Sequence, residues 1–136
     1  MTREQENLLL KDLCARLPYG VKMNHIADDE HSPKTLIGIA KDMITLEGLG
    51  GYECVDTEDY KPYLFPLSSM TEKQKREYNF WKHEVPICHY EYGDVVEEIE
   101  LYDSPESIEY LIENHFDYRG LIPMGIALDA TGKGVY

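Results

Sequence analysis

Residues 35–55 read TLIGIAKDMITLEGLGGYECV, and this stretch decides the fold class. Residues 35–40 and 43–47 are apolar and rich in β-branched side chains, so they predict two strands. Lys41-Asp42 between them predicts a tight turn, although it lacks the glycine that such turns favour. Gly48, Gly50 and Gly51 break the run, and residues 52–55 supply a third strand, giving an antiparallel meander. Upstream, Val21, Met23 and His25 alternate with Lys22, Asn24 and Ile26 as a further strand. Downstream, residues 61–67 (KPYLFPL) are extended and apolar. Their two prolines cannot donate ladder hydrogen bonds, which predicts an edge or a crossing connection rather than a central strand.

Helices flank this sheet. Leu10, Leu13, Cys14 and Leu17 fall at i, i+3, i+4 and i+7, predicting an amphipathic helix over residues 3–16 that Pro18 and Gly20 terminate. Thr71 and Gln74 form a capping box, and the helix they open runs to about Lys82 with Tyr78 and Trp81 on a narrow apolar side. Residues 87–92 and 95–102 surround Gly93-Asp94 and predict a hairpin. Ser104 caps a last helix with Pro105 in its first turn. Ile108, Leu111, Ile112 and His115 form the inner stripe of that helix, and Gly120 lies just past its end. Residues 121–128 are apolar but contain Pro123 and Gly125, which leaves strand and helix both open, and residues from 129 onward read as a mobile tail. The expected fold is α+β: a mainly antiparallel sheet, made of a meander plus a hairpin, packed with about three helices in one domain over residues 1–136.

Charge sets the expected partners. The chain holds 26 acidic and 13 basic residues, a net charge of −13. That balance opposes direct binding of nucleic acid, which proteins neutralise with Lys and Arg, and it opposes docking on an anionic membrane. It favours a basic protein as partner. The three cysteines, Cys14, Cys54 and Cys88, are odd in number and stand at no metal spacing, so they read as free thiols of a reducing, cytoplasmic environment. The start of the chain carries no signal-peptide pattern, and no stretch has the roughly 20 apolar residues of a membrane span.

Residues 8–22 (LLLKDLCARLPYGVK), 63–75 (YLFPLSSMTEKQK) and 114–128 (NHFDYRGLIPMGIAL) resemble segments of a group of small uncharacterised proteins recurring in gut Bacteroidetes genomes and their phages or other mobile elements. The matched segments follow the expected order and cover about a third of the chain. The resemblance implies a phage-like or mobile-element accessory protein, and it carries over no activity and no functional residue.

Four groups of residues bear on chemistry. His25, Asp28, Asp29, Glu30 and His31 hold metal-ligand side chains within seven residues, but His25 and His31 are at no standard spacing, so a polar loop is the preferred reading. His83, Cys88 and His89 offer two nitrogens and a sulfur without the paired spacing of a closed zinc site. No metal site and no cofactor is expected. His115, Asp117, Tyr118 and Arg119 are the weak catalytic candidates, because a base, a carboxylate, a phenol and a guanidinium lie together in sequence. The alternative there is a core histidine beside an Asp and an Arg that pin the turn after the helix. No phosphate-binding or nucleophile-elbow motif occurs, and Ser68 and Ser69 read as helix-entry residues.

The fourth group is electrostatic. Residues 84–118 contain eleven acids and no Lys or Arg. Glu106, Glu109 and Glu113 share one helix face, and Glu98 and Glu100 share one strand face, both expected to point away from the core. These five are the candidate binding residues, unless Lys73, Lys75 and Arg76 fold over them. The leading functional expectation is a non-enzymatic binding or regulatory protein that contacts a basic partner. The alternatives are a small enzyme built on the His115 group and a self-associating structural subunit, and the sequence leaves the oligomeric state open.

Overall fold

The computed structural model describes residues 1–27 and 32–136. The fold is α+β, with helices α1 (Arg3–Arg16), α2 (Glu72–Phe80) and α3 (Pro105–Glu113) and strands β1 (Lys22–His25), β2 (Lys34–Ala40), β3 (Met43–Gly48), β4 (Gly51–Asp56), β5 (Tyr60–Leu64), β6 (His83–Glu91), β7 (Asp94–Tyr102) and β8 (Leu128–Asp129). The chain divides into two compact units, Met1–Ser69 with Ile112–Tyr136, and Met70–Leu111.

The first unit is a six-stranded sheet in the order β4-β3-β2-β1-β5-β8, antiparallel except for the parallel β5–β8 pair. The meander of residues 35–55 is present as expected. Its turn forces Lys41 to φ +54°, the left-handed region that a glycine would have occupied more easily. The ladder slips between Leu36 and Gly38, so Ile37 is an extra residue in β2. A period of two alone would have turned Ile39 outward. The bulge lets Leu36 and Ile39 both pack against the core.

Two expectations about this unit change. Residues 60–64 form β5, an interior strand between β1 and β8 rather than an edge. Pro66 lies past the end of β5, and Pro62 is tolerated because of the ladder's alternation. Ile26 donates to the Asp59 carbonyl at 2.9 Å and Ala130 donates to the Leu64 carbonyl at 2.8 Å, which puts Pro62 on the β8 side, and β8 pairs only with Tyr63 and Leu64. The second change is the phase of α1. Its buried residues are Leu9, Asp12, Leu13 and Arg16, whereas Cys14 is exposed and Leu10 and Leu17 are half-buried. Leu9 and Leu13 join Val21, Met23, Leu36, Ile44, Leu46 and Leu64 in the core. The helix begins with a capping box between Thr2 and Gln5 and ends through a short 3-10 turn at Gly20, φ +69°. Residues 121–128, left open between strand and helix, are mostly turns leading into the two-residue β8.

The second unit is the β6–β7 hairpin with α2 and most of α3. Thr71 accepts from the Gln74 amide at 3.1 Å and Gln74 accepts from the Thr71 amide at 2.9 Å, the expected capping box. The hairpin turn sits one residue earlier than expected. Glu91 pairs with Asp94, and the two loop residues are Tyr92 and Gly93 rather than Gly93 and Asp94. Their φ values of +52° and +87° suit a type I′ turn, whose twist matches the flanking strands. At the start of α3, Ser104 Oγ accepts from the Ser107 amide at 3.0 Å, and Ser107 Oγ accepts from the Ser104 amide at 2.8 Å. Ser104 Oγ also donates to the Trp81 carbonyl, so one hydroxyl ties the end of α2 to the start of α3. Tyr78 stacks on Tyr110 at 6.3 Å and donates its hydroxyl to Asp103.

Candidate binding surface

The pleat of the hairpin sorts its side chains. Residues directly opposite in a ladder point to the same side. The pairs Val85–Glu100, Ile87–Glu98 and His89–Val96 therefore share one face, and Glu84–Leu101, Pro86–Ile99, Cys88–Glu97 and Tyr90–Val95 share the other. Glu98 and Glu100 are exposed, as expected of them. Their face, however, carries the half-buried Ile87, His89 and Val96, while every residue of the opposite face is exposed. The hairpin thus turns its more apolar side to solvent. On α3, Glu106, Glu109 and Glu113 are exposed and Leu111 and Ile112 are buried, the rotation that the inner stripe dictates. Lys73 and Lys75 pair with Glu77 at 3.9 Å and Glu72 at 3.3 Å on their own helix.

The four residues of the catalytic alternative have other engagements. His115 does not continue the helix. α3 ends at Glu113, and His115 adopts φ +64°, a region where histidine is enriched among non-glycine residues. Its ring stacks on Tyr136 at 3.7 Å, and its Nδ1 has no hydrogen-bond partner among the described residues. Burial, followed by the nearby Arg16 and Lys22 charges, pushes its pKa down to about 4. Asp117 is buried, and both carboxylate oxygens accept backbone hydrogen bonds, from Leu121 at 2.8 Å and Ile122 at 2.9 Å. It pins the turn after α3. Burial raises the Tyr118 pKa, and the Arg119 guanidinium lies 4.7 Å from the Tyr118 ring centre. Arg119 Nε also lies 3.3 Å from Asp12 Oδ1. A cavity of about 400 Å³ opens elsewhere in this unit, among Glu6, Asn7, Lys41, Asp42 and Glu58, and none of the four residues lines it.

Pattern reading missed the charged core behind this group. Asp12 and Arg16 are both 0% exposed. Arg16 donates from Nε to Asp12 Oδ2 at 2.7 Å and from Nη2 to the Phe116 carbonyl at 2.6 Å. The guanidinium therefore fixes α1 to the segment that follows α3. The signal in the sequence was the i, i+4 placement of Asp12 and Arg16, which normally marks an exposed pair.

The His115 pKa has a pH consequence. Between pH 6.5 and about 4 the unfolded chain takes up a proton on His115 that the folded chain refuses. Stability present above that window is lost as pH falls through it. Solvent screening at this half-exposed ring keeps the loss to about 1 kcal/mol. His115→Asn retains a residue that tolerates the left-handed backbone, and it is expected to flatten the acid side of a Tm-against-pH profile. An acid slope identical to that of the unsubstituted protein would place the proton uptake elsewhere.

The remaining ligand candidates separate as well. Asp28, Asp29, Glu30 and His31 lie outside the described residues. His25 Nδ1 accepts from the Ala27 amide at 3.0 Å. The hairpin places Cys88 on the opposite face from His83 and His89. Among the described residues, no group of three or more His, Cys, Asp or Glu is arranged to hold a metal ion, and no helix is long and apolar enough to cross a membrane. All three cysteines are exposed. No known family model, no curated protein and no solved structure matches the chain.

Proposed function

We propose that the protein is a non-enzymatic binding or regulatory protein that holds a basic partner protein against its acidic segment. The observation that carries this reading is the exposure of Glu98, Glu100, Glu106, Glu109 and Glu113 within a stretch, residues 84–118, that contains no Lys or Arg. Of the nearby bases, Lys73 and Lys75 pair with acids of their own helix, and Lys82 lies over the Tyr78 ring. Such a surface attracts cations over a range that salt screens beyond about 8 Å at physiological ionic strength. The resemblance to the Bacteroidetes phage and mobile-element group extends the proposal to an accessory role in such an element, and the three free cysteines support a reducing, cytoplasmic setting for it.

The test is affinity capture from the native host at low and high salt, comparing the natural chain with a variant in which Glu98, Glu100, Glu106, Glu109 and Glu113 are all Lys. A partner recovered at low salt, released at high salt and lost with the variant supports the proposal. Equal recovery by a variant whose circular dichroism is unchanged contradicts it.

A further inference from the structure

We infer that the fully exposed face of the β6–β7 hairpin is the seat for a basic amphipathic α-helix of the partner. This rests on the proposed function, and it names the partner element and the face it occupies. Pro86, Tyr90, Val95, Ile99 and Leu101 lie on this face, and Tyr90, Val95 and Ile99 are 81%, 60% and 67% exposed. A strip of apolar side chains open to water is costly in isolation and is the usual mark of a covered surface.

Its dimensions select a helix. Each strand has nine residues, so the strip is about 30 Å long at the usual rise per residue. Two strands side by side give it a width of about 10 Å. An α-helix is about 10–12 Å across, and roughly 20 residues of it span 30 Å. Strand addition at an edge of the hairpin would leave these side chains in water, because it extends the sheet without covering its face.

Its charge selects a cation. Glu84 and Glu97 stand on the same face, among the apolar side chains. Glu91, Asp94, Glu98 and Glu100 edge it from the other side of the same two strands, and the hairpin has no Lys or Arg between Glu84 and Tyr102. A second copy packed face to face would bring Glu84 and Glu97 against their own equivalents, in a chain of net charge −13. A helix with an apolar stripe bordered by Lys or Arg satisfies both the side chains and the carboxylates.

The probe is a 20-residue amphipathic peptide of Leu and Lys, set against a scrambled peptide of the same composition, with binding followed by fluorescence anisotropy on the full chain. The amphipathic peptide is expected to bind at least tenfold tighter than the scrambled one. Val95→Asn/Ile99→Asn is expected to weaken it tenfold or more, and Tyr90→Ser, a milder change at an equally open position, several-fold. Glu98→Lys/Glu100→Lys acts on the opposite face, so it is expected to weaken binding less and to reduce the salt dependence. If the apolar-face variants bind as well as the natural chain while Glu98→Lys/Glu100→Lys abolishes binding, the helix seat is wrong and the acidic-surface reading survives. If no variant matters, both fail. A natural chain that sediments as a dimer, and that Val95→Asn/Ile99→Asn converts to a monomer, would overturn the helix seat in favour of a second copy.

Discussion

Arg16→Met is expected to lower the unfolding free energy by about 3–5 kcal/mol, the range for removing one partner of a buried ion pair. The Arg16 side chain is wholly enclosed, and it serves Asp12 and the Phe116 carbonyl together. Methionine fills similar space but leaves the Asp12 carboxylate buried, with the Arg119 guanidinium 3.3 Å away as its remaining charge partner. The Phe116 carbonyl loses the guanidinium and keeps the Tyr118 amide, at 3.1 Å. Removing both charges in Asp12→Leu/Arg16→Met should recover much of the loss, because no fully enclosed ion then remains and the Arg119 side chain that loses Asp12 is partly exposed. Urea denaturation monitored by circular dichroism reads both. An unfolding free energy for Arg16→Met within about 1 kcal/mol of the natural protein's, at unchanged m, would mean that the pair contributes little to holding α1 in place.

Tyr136→Ala is expected to cost about 2–4 kcal/mol, less than a fully buried aromatic because the residue is 41% exposed. The exposure hides a specific anchor. The hydroxyl accepts from the Lys22 amide at 2.9 Å and donates to the Tyr63 carbonyl at 2.7 Å, while the ring stacks on His115 and tilts against Phe65 at 5.8 Å. Enclosure of the phenol raises its pKa. Tyr136→Phe isolates the two hydrogen bonds and should cost about 1–3 kcal/mol, since it leaves a backbone amide and a carbonyl to find other partners. Thermal melts of the two variants read the difference as a few degrees per kcal/mol at this chain length. Alanine and phenylalanine variants that melt together would assign the whole effect to the hydroxyl. Variants that both melt with the natural protein would show the segment to be the loose tail that its glycines suggest.

What the sequence disclosed was local. The capping residues Thr71 and Ser104 start their helices where side-chain chemistry predicts, because a cap acts over three residues and needs no tertiary context. The meander was legible for the same reason. The phase of α1 was not, because the run Leu8-Leu9-Leu10 supports several apolar stripes and the true one includes an Asp and an Arg. Polar residues are assigned outward by default, and only a distant partner, here the Phe116 carbonyl, makes Arg16 an inward residue. The hairpin was read correctly as a hairpin, with its turn displaced by one residue, and Glu98 and Glu100 are exposed on the face that also carries the half-buried Ile87, His89 and Val96. Both of its faces carry apolar and acidic residues, so alternation by itself does not say which one is covered. The candidate carboxylates were visible as a charge run, but the apolar strip on the other side of the same strands was not.

The parallel bridge between Phe65 and Phe116 joins positions about fifty residues apart. Closing a loop of that length costs on the order of 3–4 kcal/mol of chain entropy, so β5 and the segment after α3 are poor places for folding to begin. The hairpin, by contrast, closes through a two-residue loop and carries its own capped helix, so its contacts are local and cost little chain entropy to close. On a ribosome the meander emerges before the hairpin, and the hairpin before β8 and Tyr136. Until residues 121–130 arrive, the β8 side of β5 lacks its strand, and the nascent chain exposes the apolar residues that Leu121, Ile126 and Ala127 later cover.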